Sequence, residues 1–225
     1  MGAGQPDETG AMPLVLRTSR GDLRAIFHPV EGGTAALVCV GGAMGGLDGP
    51  AEGIYGRLAG LLADSRVSVL RLDYRQPNVF DECVADTLVG CSFLKGIGAT
   101  DVALVGHSFG AAVVIKAGEL APIVRGVASM SPQLYGTRDV ELLGKPLLLV
   151  HGTSDSVLNH EASEDIYRRA LDPKQIVLLA DTGHSLNAAR RRVETVLAEW
   201  LAPVLRSETI ASGRRDWQAD DSPSP

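Results

Sequence analysis

A serine, an aspartate and a histidine occur in that order at positions 108, 155 and 184, each just past the end of an apolar run. The serine lies in Gly106-His107-Ser108-Phe109-Gly110, after Val102-Ala103-Leu104-Val105 and before Ala111-Ala112-Val113-Val114-Ile115. A strand that turns into a helix at a serine flanked by glycines lifts the hydroxyl out of the sheet. It also leaves the positive end of the helix beneath it. A serine hydroxyl is a weak nucleophile until a base takes its proton, so the pattern asks for a histidine at the same sheet edge.

Of the five histidines, His184 is the candidate base. Asp181-Thr182-Gly183-His184-Ser185 follows the last apolar run and precedes the last helical stretch. That places it in a loop at the carboxyl end of the strands, where open α/β sheets bind ligands. His28 belongs to an edge hairpin, His160 opens a helix, and His151 ends a strand within the sheet and reads as structural. His107 precedes the nucleophile and is expected to point away from it, as a packed, hydrogen-bonded residue. A third group should bond the far ring nitrogen and fix its tautomer. Asp155, in His151-Gly152-Thr153-Ser154-Asp155, emerges at the same rim and gives the order serine, acid, histidine; Asp181 competes but can simply start its turn.

An oxyanion formed on attack needs two backbone N–H donors. Phe109, after the nucleophile, supplies one. The loop Val40-Gly41-Gly42-Ala43-Met44-Gly45-Gly46 supplies the other, from Ala43 or Met44. This loop completes neither Gly-x-Gly-x-x-Gly nor a phosphate-binding Gly-Lys-Ser/Thr. Leu47, Met130, Tyr135, Leu158 and Leu186, with Met44 and Phe109, are the expected pocket-lining side chains.

The elements that must carry these groups follow from hydrophobic patterning. Apolar runs at Leu14–Thr18, Leu23–His28, Ala36–Val40, Val67–Leu72, Val102–Val105, Gly126–Met130, Pro146–Val150 and Ile176–Leu179 read as strands. The first two, joined by Ser19-Arg20-Gly21-Asp22, form an antiparallel hairpin. Helical spacing near 51–64, 80–97, 109–120, 160–171 and 185–202 separates the rest. Strand–helix alternation predicts an α/β fold with a mostly parallel sheet, helices on both faces and an antiparallel edge. About fifteen residues separate Met130 from the next strand, too few for a lid, so an open cleft is expected. Residues 1–12 and 206–225, polar and without periodicity, are expected to be disordered tails around a single domain at 13–205.

Composition narrows the field further. The formal charge is −6, which gives no general attraction to nucleic acid or an anionic membrane. The basic run Arg190-Arg191-Arg192 lies in a helical stretch and reads as a solvated face. Cys39, Cys83 and Cys91 form neither a disulfide framework nor a metal-ligand set with the histidines, so no metal and no cofactor is expected. No secretory segment is apparent, and the expected location is cytoplasmic.

The motifs at 106–110, 152–155, 183–184 and 40–46 together resemble the α/β-hydrolase superfamily over about residues 13–203. The resemblance implies an eight-stranded sheet and hydrolysis of an ester-like bond in a small-molecule acyl substrate. The lidless layout is similar to the compact carboxylesterase, acyl-thioesterase and dienelactone-hydrolase-like branches, the last of which carries a cysteine nucleophile where this chain has Ser108. Gly41 stands where many members have histidine. The same three groups would also serve a thioesterase, a carbon–carbon bond hydrolase or an acyltransferase. A ligand-binding protein without turnover is the rival of another class. The oligomeric state is open.

Overall fold

The computed structural model describes residues 2–218; Met1 and residues 219–225, which belong to the two expected tails, lie outside the described residues. The sheet order is β1-β2-β3-β5-β4-β6-β7-β8-β9-β10. The strands are β1 (Gly2–Ala3), β2 (Met12–Thr18), β3 (Gly21–His28), β4 (Ala35–Val40), β5 (Val67–Asp73), β6 (Asp101–His107), β7 (Val124–Met130), β8 (Leu147–Gly152), β9 (Lys174–Leu179) and β10 (Gly213–Trp217). β2 and β3 form the expected hairpin, β3 joins β5 antiparallel, and from β5 to β10 every pairing is parallel.

The helices α1 (Pro50–Leu61), α2 (Phe80–Gly96), α3 (Phe109–Leu120), α4 (Glu161–Arg169) and α5 (Arg190–Leu205) divide between the two faces. Ile54, Tyr55 and Leu58 of α1 pack with Val193, Leu197 and Leu201 of α5 in one buried cluster. Cys83 and Val84 of α2, Val113 and Val114 of α3 and Ile166 of α4 belong to the other. Alternation along the strands feeds both clusters: in β6, Val102 and Leu104 join the second group while Ala103 and Val105 join the first. Strands buried on both faces explain why the sequence shows continuous apolar runs there.

All eight expected strands are present, and two short ones extend the sheet where tails are expected. Gly2 and Ala3 pair with Val15 and Leu14, and Asp7 closes the returning turn by accepting the Thr9 N–H at 2.8 Å and the Ala11 N–H at 3.0 Å. At the other edge Gly213–Trp217 lies parallel to Gln175–Leu179. Here Arg192 stacks on the Trp217 ring at 3.7 Å, so one member of the basic run covers an aromatic ring rather than only facing water. β1 is held by main-chain pairing and the Asp7 turn, whereas β10 adds to its main-chain pairing the partly buried Trp217, packed against the α1–α5 cluster. Between β7 and β8 the chain holds one 3₁₀ turn, Val140–Leu143, and no lid domain.

Candidate active site

Ser108 lies between β6 and α3 with φ 59° and ψ −119°, a left-handed conformation for a residue with a side chain. Its neighbours explain how the bend is tolerated. A β-carbon on Gly106 would collide with the Gly110 carbonyl oxygen, and one on Gly110 would collide with the Gly41 carbonyl oxygen. The bend is stitched into the sheet by the Ser108 N–H, which donates to the Met130 carbonyl at 2.8 Å.

The loops after β8 and β9 bring up the acid and the base. They are packed on each other: the Ser154 N–H donates to the Thr182 carbonyl at 3.0 Å, and a β-carbon on Gly152 would strike that same carbonyl. The His184 loop is further tied to α1, where the Ala51 N–H donates to the Ser185 carbonyl at 2.7 Å.

The three side chains form one relay. His184 Nε2 is 3.0 Å from Ser108 Oγ, and His184 Nδ1 is 2.7 Å from Asp155 Oδ2. A carboxylate only accepts, so Nδ1 carries the hydrogen and Nε2 is free to accept the serine proton. Asp155 Oδ1 accepts the Val157 and Leu158 N–H groups at 2.8 and 2.9 Å. Burial pushes the Asp155 pKa up, but the Leu158 N–H, His184 and the Val157 N–H together outweigh it, holding the carboxyl below its ordinary value. The competing Asp181 is exposed, in a left-handed turn at φ 52°.

On the other side of Ser108 runs the glycine loop. A β-carbon on Gly42 would be 3.7 Å from Ser108 Cβ, so this loop lies against the serine. Its far limb is held by Asp73, whose Oδ1 accepts the Gly46 N–H at 3.0 Å. Ala43 is partly buried against the core, whereas the Met44 side chain is 90% exposed.

The expected pocket residues do not stay together. Met130 and Leu186 are fully buried in the α1–α5 core, because the strand alternation and the turn after β9 direct them inward; they do not face the cleft. Leu158 is half-buried and acts through its backbone: its N–H goes to Asp155 and its carbonyl accepts from His151. Phe109 is buried, with its ring edge-on to Phe80 at 6.0 Å, and Phe80 meets the exposed Tyr135 at 5.4 Å. Leu47 is half-buried in the glycine loop.

Two histidines read from the sequence as structural make direct contact with the relay. His107 is packed and hydrogen-bonded, as expected, but its partner is the base: its Nε2 lies 2.9 Å from the His184 carbonyl oxygen and its ring is 4.7 Å from the His184 ring. Burial depresses its pKa to about 4, leaving it neutral beside the base. His151 bonds Asp155 from beneath. Position immediately before the serine is the only signal the sequence offered for the first; the four-residue spacing from Asp155 is that for the second.

No family model and no curated protein matches the sequence. Solved structures do. Est1E from Butyrivibrio proteoclasticus superposes with a TM-score of 0.73 at 17% identity, over 86% of this chain and 99% of that one. A dienelactone hydrolase from Anabaena variabilis gives 0.72 at 16%, over 88% and 97%. The chain has the α/β-hydrolase fold. The esterase domain of a Rhodothermus marinus protein shares this α/β-hydrolase fold with a TM-score of 0.67 at 20% identity, over 85% of this chain and 98% of the other. Among the described residues no cluster could hold a metal ion, and no helix is long and apolar enough to cross a membrane.

Proposed function

We propose that this protein is a serine hydrolase that cleaves a carboxylic ester or similar acyl bond of a small molecule through an acyl-enzyme. The observation that carries this reading is the unbroken relay from Ser108 Oγ through His184 to Asp155 Oδ2, with the serine raised on a left-handed turn.

In this scheme Ser108 Oγ attacks the acyl carbon while His184 Nε2 takes its proton. The imidazolium so formed donates from Nδ1 to an Asp155 carboxylate that already accepts two backbone N–H groups. Negative charge on the acyl oxygen is held by the N–H of Phe109, at the start of α3, and by that of Ala43 or Met44. One such donor is worth about 3 kcal/mol of barrier. His184 then protonates the leaving group, and water repeats the sequence to release the acid. Small substrates suit a rim that no lid covers, and esterase and dienelactone hydrolase names among the neighbours favour acyl-oxygen cleavage. Three free, buried cysteines suit a cytoplasmic setting.

The test is covalent labelling by a fluorophosphonate, together with a panel of chromogenic esters of graded acyl length beside their thioester equivalents. The reading expects wild-type labelling that Ser108→Ala abolishes and turnover of at least one oxygen ester. An unlabelled, folded wild type would support ligand binding without turnover. Preference for thioesters, or acyl transfer to an acceptor other than water, would move the assignment within the same chemistry.

A further inference from the structure

We propose that His151 is a positioning residue of this machinery, holding the Asp155 carboxylate from beneath so that one oxygen stays aimed at His184. The inference rests on the reading of Ser108, His184 and Asp155 given above and adds a fourth side chain to it.

His151 lies in β8 and is fully buried. Its Nε2 is 3.1 Å from Asp155 Oδ2, the same oxygen that takes the His184 N–H, and 3.0 Å from the Leu158 carbonyl oxygen. Its Nδ1 is 2.7 Å from the hydroxyl of Ser163, in α4, which is itself fully buried. Both neighbours of Nε2 are acceptors, so the hydrogen sits there. Burial disfavours a charged ring and depresses the His151 pKa, which leaves a lone pair on Nδ1 to accept the Ser163 O–H. Donor and acceptor roles are thereby settled from Ser163 to Ser108.

The consequence is a carboxylate with four donors: two backbone N–H groups on Oδ1 and two imidazoles on Oδ2. Asp155 sits on a loop, and the backbone donors alone hold only one of its oxygens. His151, rooted in a strand, holds the other. A second cation in that place would weaken the pull of the acid on His184, and a second carbonyl would repel it; a neutral N–H does neither. It does draw electron density from Oδ2, so its loss should make Asp155 a stronger acceptor and stabilise the His184 imidazolium. The titratable groups facing the cluster are His107, whose ring lies tilted against His184, and His160, at the start of α4.

The experiment compares wild type with His151→Leu, His151→Gln and Ser163→Ala in the full chain. It reads fluorophosphonate labelling rate, kcat and KM on a chromogenic ester, and the pH of half-maximal rate. Loss of the donor in the leucine variant should lower kcat and labelling about 10- to 100-fold. KM should change little, and the pH of half-maximal rate should rise by about half a unit. Glutamine, whose amide N–H can reach the same oxygen, should restore most of the rate and the wild-type pH curve. Ser163→Ala should move both readouts in the leucine direction by less. Equal losses in the leucine and glutamine variants that follow thermal stability, with an unmoved pH curve, would reduce His151 to a core residue. So would a leucine variant with wild-type kcat. An unlabelled wild type would sink the catalytic reading and this inference with it, whereas a labelled wild type with indifferent variants sinks the inference alone.

Discussion

The two sides of Ser108 are built differently. On the proton-handling side, the loops after β8 and β9 hold the side chains of Asp155 and His184 by named partners: Asp155 has four donors, His184 is tied at both ring nitrogens, and the His184 carbonyl takes a bond from His107. On the side proposed for substrate, the glycine loop is placed by close backbone approach and by Asp73, while Met44 and Tyr135 extend into solvent at 90% and 70% exposure. Proton transfer needs a geometry fixed to fractions of an ångström, so it is assigned to saturated hydrogen bonds. In the proposed reaction, acyl groups of varied shape would need only an apolar surface that can adjust. The contrast argues that specificity here is easier to alter than rate.

Substitutions can break or sharpen that contrast. On the saturated side, Asp155→Asn leaves the shape but favours the wrong His184 tautomer; kcat should fall on the order of 10⁴-fold with little change in KM, checked by steady-state kinetics. A loss of less than tenfold would show that the relay is not used. At the junction of the two sides, Gly110→Ala forces a methyl into the Gly41 carbonyl and should cost at least about 3 kcal/mol in denaturant unfolding, or prevent folding. The reason is that the obstacle is backbone and cannot step aside.

A milder effect comes from His107. Free histidine titrates near 6.5, and burial lowers this residue to about 4. Between those values the unfolded chain binds a proton that the folded one does not, so stability falls as pH drops from 6.5 to 4. The loss should be on the order of 3 kcal/mol, and His107→Gln should flatten that slope in thermal melts taken across the window. Smallest of all, Met44→Ser and Tyr135→Ala should shift KM and acyl-length preference by about two- to tenfold with kcat nearly unchanged. A kcat collapse in either would place that residue on the fixed side of the comparison.

Much of this was legible in the residue order because strands buried on both faces write themselves as apolar runs, and because the bend at Ser108 demands glycines at 106 and 110. The relative placement of Ser108, Asp155 and His184 followed from three loops that leave one sheet edge. Side-chain direction was harder. Met130 and Leu186 lie beside the site in the chain but point into the core, since a period of two or a left-handed turn at Leu186 reverses the face and neighbouring letters do not reveal which. His107 was expected to be packed and hydrogen-bonded, but that its ring would lie against that of His184 was not legible. β10 is invisible by pattern: Gly213-Arg214-Arg215-Asp216-Trp217 offers a single apolar residue, and the bonds that hold the segment just before it, Ser212 to the Lys174 N–H at 3.0 Å and Gln175 to the Ala211 carbonyl at 2.7 Å, reach residues far off in sequence.

β1 and β10 occupy opposite margins of the sheet, nine inter-strand spacings apart. At about 4.8 Å each, that is roughly 40 Å. Rejoining Trp217 to Gly2 in a circular permutant would therefore require a bridge of at least about a dozen extended residues. Tethers attached near either strand would leave the protein anchored by one flank or the other, with the mouth above Ser108 turned toward neither support.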